Sequence, residues 1–124
     1  TVHAVEGDQL AAAALRKATV KAGIDSRLSV EIRDLIKDPV PADKLSKYDA
    51  IVFDPPRSGA KKQAEQIAQN GPHTVVAVSC NPNTFARDGE ILIKGGYELK
   101  KVTPIDQFLW SPHIELVAVF YRTE

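Results

Sequence analysis

Cys80 and Glu115, far apart in the chain, carry groups whose types can do chemistry, a thiol able to act as a nucleophile and a carboxylate able to accept a proton. Cys80 is the single cysteine, so it forms no internal disulfide, builds no multi-cysteine metal site and is left free for chemistry. It stands in Ser79-Cys80-Asn81-Pro82, directly after the apolar run Val76-Ala77-Val78, where the proline ends a strand and opens a helix. A lone cysteine is usually an inert buried hydrophobe, but a thiol at a strand end beside a helix N-terminus ionises more readily. Glu115 heads the apolar run Leu116-Val117, and alternation alone would point it to water from an edge strand. His113 could be a surface residue, an imidazole bonded to a backbone carbonyl, or a group that orients a catalytic side chain.

Three further carboxylates share one kind of position. Glu6, Asp34 and Asp54 each fall at or just past the end of an expected strand, and ligands of open α/β sheets sit outside the carboxyl ends of their strands. Glu6 and Asp34 could accept the hydroxyls of a ribose, or could be ordinary strand-end polarity. Asp54-Pro55-Pro56-Arg57 is a stiff exit, because two prolines fix the backbone and remove two donors, and Ser58-Gly59 eases the turn that follows. Asp54 in such a loop could equally be a solvated cap.

The elements that must carry these groups alternate between strand and helix patterns, which predicts an α/β domain with a mostly parallel sheet over residues 1–124. Strands are expected over 2–5, 28–32, 50–53, 74–78, 97–103 and 114–121. The run 50–53 is continuously apolar and reads as buried on both faces. Helices are marked by Ala11, Ala14, Leu15, Ala18 and Ala22, by Ala64, Ile67 and Ala68, and by Phe85, Gly89, Leu92 and Ile93. Residues 38–47 read as a loop or short helix. Lysine plus arginine equals aspartate plus glutamate at 16 each, so no net positive field advertises a polyanion. No apolar run approaches the length of a membrane span, and the free thiol suits a reducing cytoplasm.

In this order, Val5-Glu6, Asp34, Asp54-Pro55-Pro56-Arg57-Ser58-Gly59, Ser79-Cys80-Asn81-Pro82 with Thr84 and Ala86-Arg87-Asp88, Gly96-Tyr97, Ile105-Asp106-Gln107-Phe108 and His113-Ile114-Glu115 resemble the RNA 5-methyluridine methyltransferases, which methylate uracil in transfer or ribosomal RNA. The resemblance implies a class I, Rossmann-like methyltransferase that uses S-adenosylmethionine. It implies that Cys80 attacks carbon 6 of uracil and that Glu115 removes the proton from carbon 5. It places Glu6, Asp34 and Asp54 at the cofactor, and Asp54, Arg57 and His113 at the substrate. The target nucleotide is expected flipped out or unpaired. Arg57 stands where amino-methylating enzymes carry an aromatic residue after the prolines. The loop also lacks the extra cysteine of RNA cytosine-5 methyltransferases.

The same resemblance expects a glycine-rich first strand and loop ahead of Thr1, and an RNA-binding N-terminal domain that completes the site. On that reading the chain is the C-terminal part of a catalytic domain and is poorly active alone. The missing strand would leave a gap, a closed-up sheet or an exposed edge, to be covered by oligomerisation or a partner segment. Two rival readings use the same residues. One is a cysteine hydrolase built from Cys80, His113 and Asp106, and the other is a non-catalytic RNA-binding module.

Overall fold

A computed structural model describes residues 1–123 and resolves into two compact units, Thr1–Pro39 and a second beginning at Val40. In the first unit, strand β1 (Val2–Glu6) pairs in parallel with β2 (Leu28–Ile32), with Glu6 opposite Ile32. Helix α1 (Gln9–Lys21) connects them as a crossover. The Asp8 carboxylate accepts the Ala11 amide at 2.7 Å and so satisfies one of the unpaired donors at the start of α1. Gly23, with φ of 67°, ends it in the left-handed conformation that glycine adopts without strain. The buried face of α1 carries Ala12 and Thr19, not the expected stripe from Ala11 to Ala22. Alanines on every side of this helix leave periodicity little contrast with which to choose a face.

The second unit orders its sheet β3-β4-β6-β5, from β3 (Ala50–Phe53), β4 (Thr74–Ser79), β5 (Tyr97–Ile105) and β6 (Glu115–Arg122). β3 and β4 are parallel, and β6 lies between β4 and β5, antiparallel to both. Among the described strands of this sheet, β6 therefore runs against the other three. Before β3, the polar stretch holds one short 3-10 turn at Ala42–Lys44.

Helices α2 (Lys61–Asn70) and α3 (Pro82–Lys94) supply Ala64, Ile67 and Leu92 to a core completed by Val75, Ala118 and Phe120 from the sheet. Gly89 on α3 faces the Phe120 ring, where an added Cβ would stand in ordinary van der Waals contact at 3.4 Å. Arg122 at the end of β6 donates to the carbonyls of Ile67 and Ala68 at 2.9 and 3.1 Å and to that of Gly95 at 3.2 Å. One cation thus serves the carbonyl ends of both helices, where the helix dipole favours positive charge.

Two expectations are corrected. β3 is an edge strand, and Val52 is 68% exposed instead of buried on both faces, because β4 is its sole neighbour in the sheet. On α3, Ile93 is half exposed, and the inward position goes to Asp88, whose carboxylate has partners there.

Candidate active site

The turn after β4 is built around Cys80 by its two neighbours. The buried Ser79 hydroxyl donates to the Asn81 carbonyl at 3.0 Å and accepts from the Asn81 amide at 3.1 Å. Asn81 then caps α3, its side-chain oxygen accepting the Asn83 amide at 3.1 Å, and Pro82 occupies the first helical turn, where a missing N–H costs nothing. Cys80 is left half-buried at the apex, beside the start of a helix.

The Asp54–Gly59 loop is fastened to that same helix. The Arg57 carbonyl accepts from Asn81 Nδ2 at 3.0 Å and from Thr84 Oγ1 at 3.1 Å, while the Ser58 carbonyl accepts from Arg87 Nη2 at 3.0 Å. The buried Asp88 carboxylate takes the Ala60 amide at 2.6 Å on one oxygen and Arg87 on the other. Gly59, with φ of 77°, has room only for hydrogen, because a Cβ would meet Arg87, Asp88 and Thr84 within 2.9 Å. Thr84, Arg87 and Asp88 thus hold a loop instead of facing a ligand.

Glu115 opens β6. The β4–β6 ladder ends at Ser79 opposite Leu116, so Cys80 directly follows and Glu115 directly precedes its last pair. Both side chains line a cleft of about 300 Å³ together with Arg57, Phe108 and His113, at the small end of ligand-pocket sizes. Glu115 is half-buried on an interior strand, so the edge-strand alternative does not describe it.

The Arg57 guanidinium approaches His113 Nδ1, 3.4 Å from Nη1. Arginine only donates, so Nδ1 is the acceptor and a neutral imidazole carries its proton on Nε2. Among the described residues no hydrogen bond links His113 to Cys80 or Asp106, as a hydrolytic triad requires.

The other predicted carboxylates are not among the lining residues. Asp54 follows β3 and is exposed. Glu6 and Asp34 belong to the first unit, at the carboxyl edge of β1 and β2. Glu6 Oε1 accepts the Asp8 amide at 2.7 Å, and Oε2 has no hydrogen bond among the described residues. Asp34 loses some solvation to burial, yet the Lys37 and Ile36 amides and the Lys37 ammonium outweigh this and hold its carboxyl below the ordinary range. Two carboxylates at adjacent parallel strand ends suit the hydroxyls of a nucleoside, the fit that an S-adenosylmethionine site requires. Phe108 and Ser79 stand in the motifs Ile105-Asp106-Gln107-Phe108 and Ser79-Cys80-Asn81-Pro82, but the sequence assigns neither of them a role of its own.

The family model described as tRNA (uracil-5-)-methyltransferase matches residues 40–123, two thirds of the chain and almost all of the unit that contains the cleft. The chain belongs to this family. A Mesorhizobium japonicum protein named as an RNA methyltransferase is 55% identical over 119 residues, 95% of this chain and 29% of its own length. A second from Brucella melitensis is 52% identical over 98% of this chain and 29% of its own. The chain therefore spans under a third of these relatives. A 23S rRNA (uracil(1939)-C(5))-methyltransferase of Alteromonas naphthalenivorans is 40% identical over 62% of the chain and 16% of its own length. Among solved structures, the Geobacter metallireducens precorrin-6y C5,15-methyltransferase superposes with a TM-score of 0.72 at 12% identity, over 98% of this chain and 66% of the other. M. jannaschii TYW2, solved with AdoMet, gives 0.67 at 14% identity, over 98% and 57%. The tRNA (uracil-5-)-methyltransferase family member described here thus has part of a Rossmann-like class I methyltransferase fold.

Proposed function

We propose that the chain supplies the catalytic cleft of an S-adenosylmethionine-dependent enzyme that methylates carbon 5 of uridine in transfer or ribosomal RNA. The observation that carries this reading is the meeting of Cys80 and Glu115 in one cleft with Arg57, Phe108 and His113. Family membership and the named relatives support it.

Carbon 5 of uracil is too weak a nucleophile to take a methyl group unaided. The Cys80 thiolate adds to carbon 6, the carbon 5–carbon 6 π electrons move toward the carbon 4 carbonyl, and carbon 5 becomes enolate-like. S-adenosylmethionine, when bound, would supply an electrophilic methyl group, which carbon 5 takes as the carbon–sulfur bond of the sulfonium breaks and its electron pair stays on sulfur as a neutral thioether. Glu115 then takes the remaining proton from carbon 5, the double bond re-forms and the thiolate leaves. Arg57 and His113 Nε2–H are donors for the uracil carbonyls, and Phe108 offers an aromatic wall. Asp54 contacts the uracil edge or the reacting end of the cofactor, and Glu6 and Asp34 hold its nucleoside.

The relatives' length supports a division of labour in which further sequence selects the RNA and completes the cofactor site, leaving this chain weakly active alone. Incubating a protein of the relatives' length that carries this chain with cofactor and 5-fluorouridine-containing RNA tests the mechanism. Fluorine cannot leave as a proton, so a stable adduct should form and should disappear in Cys80→Ala. An adduct untouched by that substitution would redirect the assignment.

A further inference from the structure

Between β5 and the cleft-lining His113, the chain makes a turn in which the Ser111 amide donates to the Phe108 carbonyl at 3.1 Å. Trp110 occupies the third position of that turn with φ of 62°, a conformation that suits glycine or asparagine and is strained for a bulky side chain. Its indole is fully exposed, and the preceding Leu109 is 77% exposed. Thr1–Thr123 thus spend their single tryptophan where it strains the backbone and adds nothing to a core. Strain held against folding interest is a mark of functional positions.

We infer that Trp110 is a stacking platform for the nucleobase adjacent to the target uridine, an inference that rests on the uridine-methylation reading of the cleft. Phe108, two residues earlier, lines the cleft, so the Trp110 Cα lies at most ~7 Å from the Cα of a wall residue. That is about one nucleotide step along an extended strand. A target base turned into the cleft loses its stacking partners, and its neighbour is left with one bare face. An outward indole at the mouth accepts that face, and stacking tolerates any base because each has a π surface. Arg57 in the same lining offers positive charge for the intervening phosphate, which a chain of zero net charge does not supply by its overall field.

The single tryptophan makes its own probe. A uridine-centred single-stranded RNA of about six nucleotides should quench its emission, and the same oligomer with abasic sites beside the uridine should not. Trp110→Ala should weaken RNA binding by about 5- to 100-fold, while Trp110→Phe keeps most of the affinity. Should Trp110→Ala fail to fold, quenching of the unmodified chain and the affinity of Trp110→Phe decide. Absence of quenching, equal quenching by the abasic oligomer, or unaltered affinity in Trp110→Ala would overturn the inference. So would an emission shift with protein concentration alone, which would mean a protein surface covers the indole. Loss of the 5-fluorouridine adduct at Cys80 would instead sink the methylation reading, and quenching can be read whichever way that result falls.

Discussion

Cys80 directly follows and Glu115 directly precedes the last pair of the β4–β6 ladder, Ser79 with Leu116, and both line the same cleft. In the proposed reaction the thiol and the carboxylate would reach a flat ring from separate positions.

Glu115→Gln should separate the two halves of the proposed reaction. The amide cannot take the carbon 5 proton, so turnover should fall by about 100- to 10,000-fold while the Cys80 adduct still forms. Denaturing gel analysis with ordinary uridine RNA should show the protein–RNA adduct accumulating in this variant. A variant that turns over normally would remove Glu115 from the mechanism.

Gly59→Ala combines a strained φ with a Cβ placed against Arg87, Asp88 and Thr84. The left-handed conformation alone costs about 1–2 kcal/mol. The variant should lose at least that in denaturant unfolding, with adduct formation slowed further because Arg57 shifts with the loop.

Asp88→Ala removes the acceptor shared by the Ala60 amide and the Arg87 guanidinium. An abandoned buried amide costs about 1–3 kcal/mol, so the unfolding midpoint should drop. Hydrogen exchange at Ala60 should rise out of proportion to that drop, which would locate the loss at the loop.

Burial raises the Tyr97 phenol above its ordinary value, although the nearby Arg122 guanidinium pulls the other way. The folded chain therefore holds this proton more tightly than the unfolded chain does. The resulting stability is fully present below the unfolded value near 10 and is lost as pH rises through the folded one. Tyr97→Phe should cost about 0.5–1.5 kcal/mol at neutral pH, because the Pro72 carbonyl loses its 2.7 Å donor. It should also flatten the alkaline end of the stability profile, measured by urea midpoints.

Much of this was legible in the residues. Pro82 and Gly23 mark where α3 starts and α1 stops, because proline lacks a donor and glycine tolerates positive φ. The ordered motifs marked Cys80, Glu115, Arg57 and His113, which the structure brings to one lining. What stayed hidden depends on partners distant in sequence. The exposure of Val52 follows from sheet order, which its apolar neighbours do not encode. Asp88 reads as a surface residue until Ala60 and Arg87 are seen on its oxygens. The alanine-rich α1 resembles itself on every side, and its buried face is settled only by what covers it.

The insertion of β6 between β4 and β5 sets an order of assembly. During synthesis the thiol emerges first, then α3 and β5, and the carboxylate arrives only with the last strand. On the proposed mechanism, a nascent chain without β6 would hold the Cys80 nucleophile before the Glu115 carboxylate that is to release its adduct.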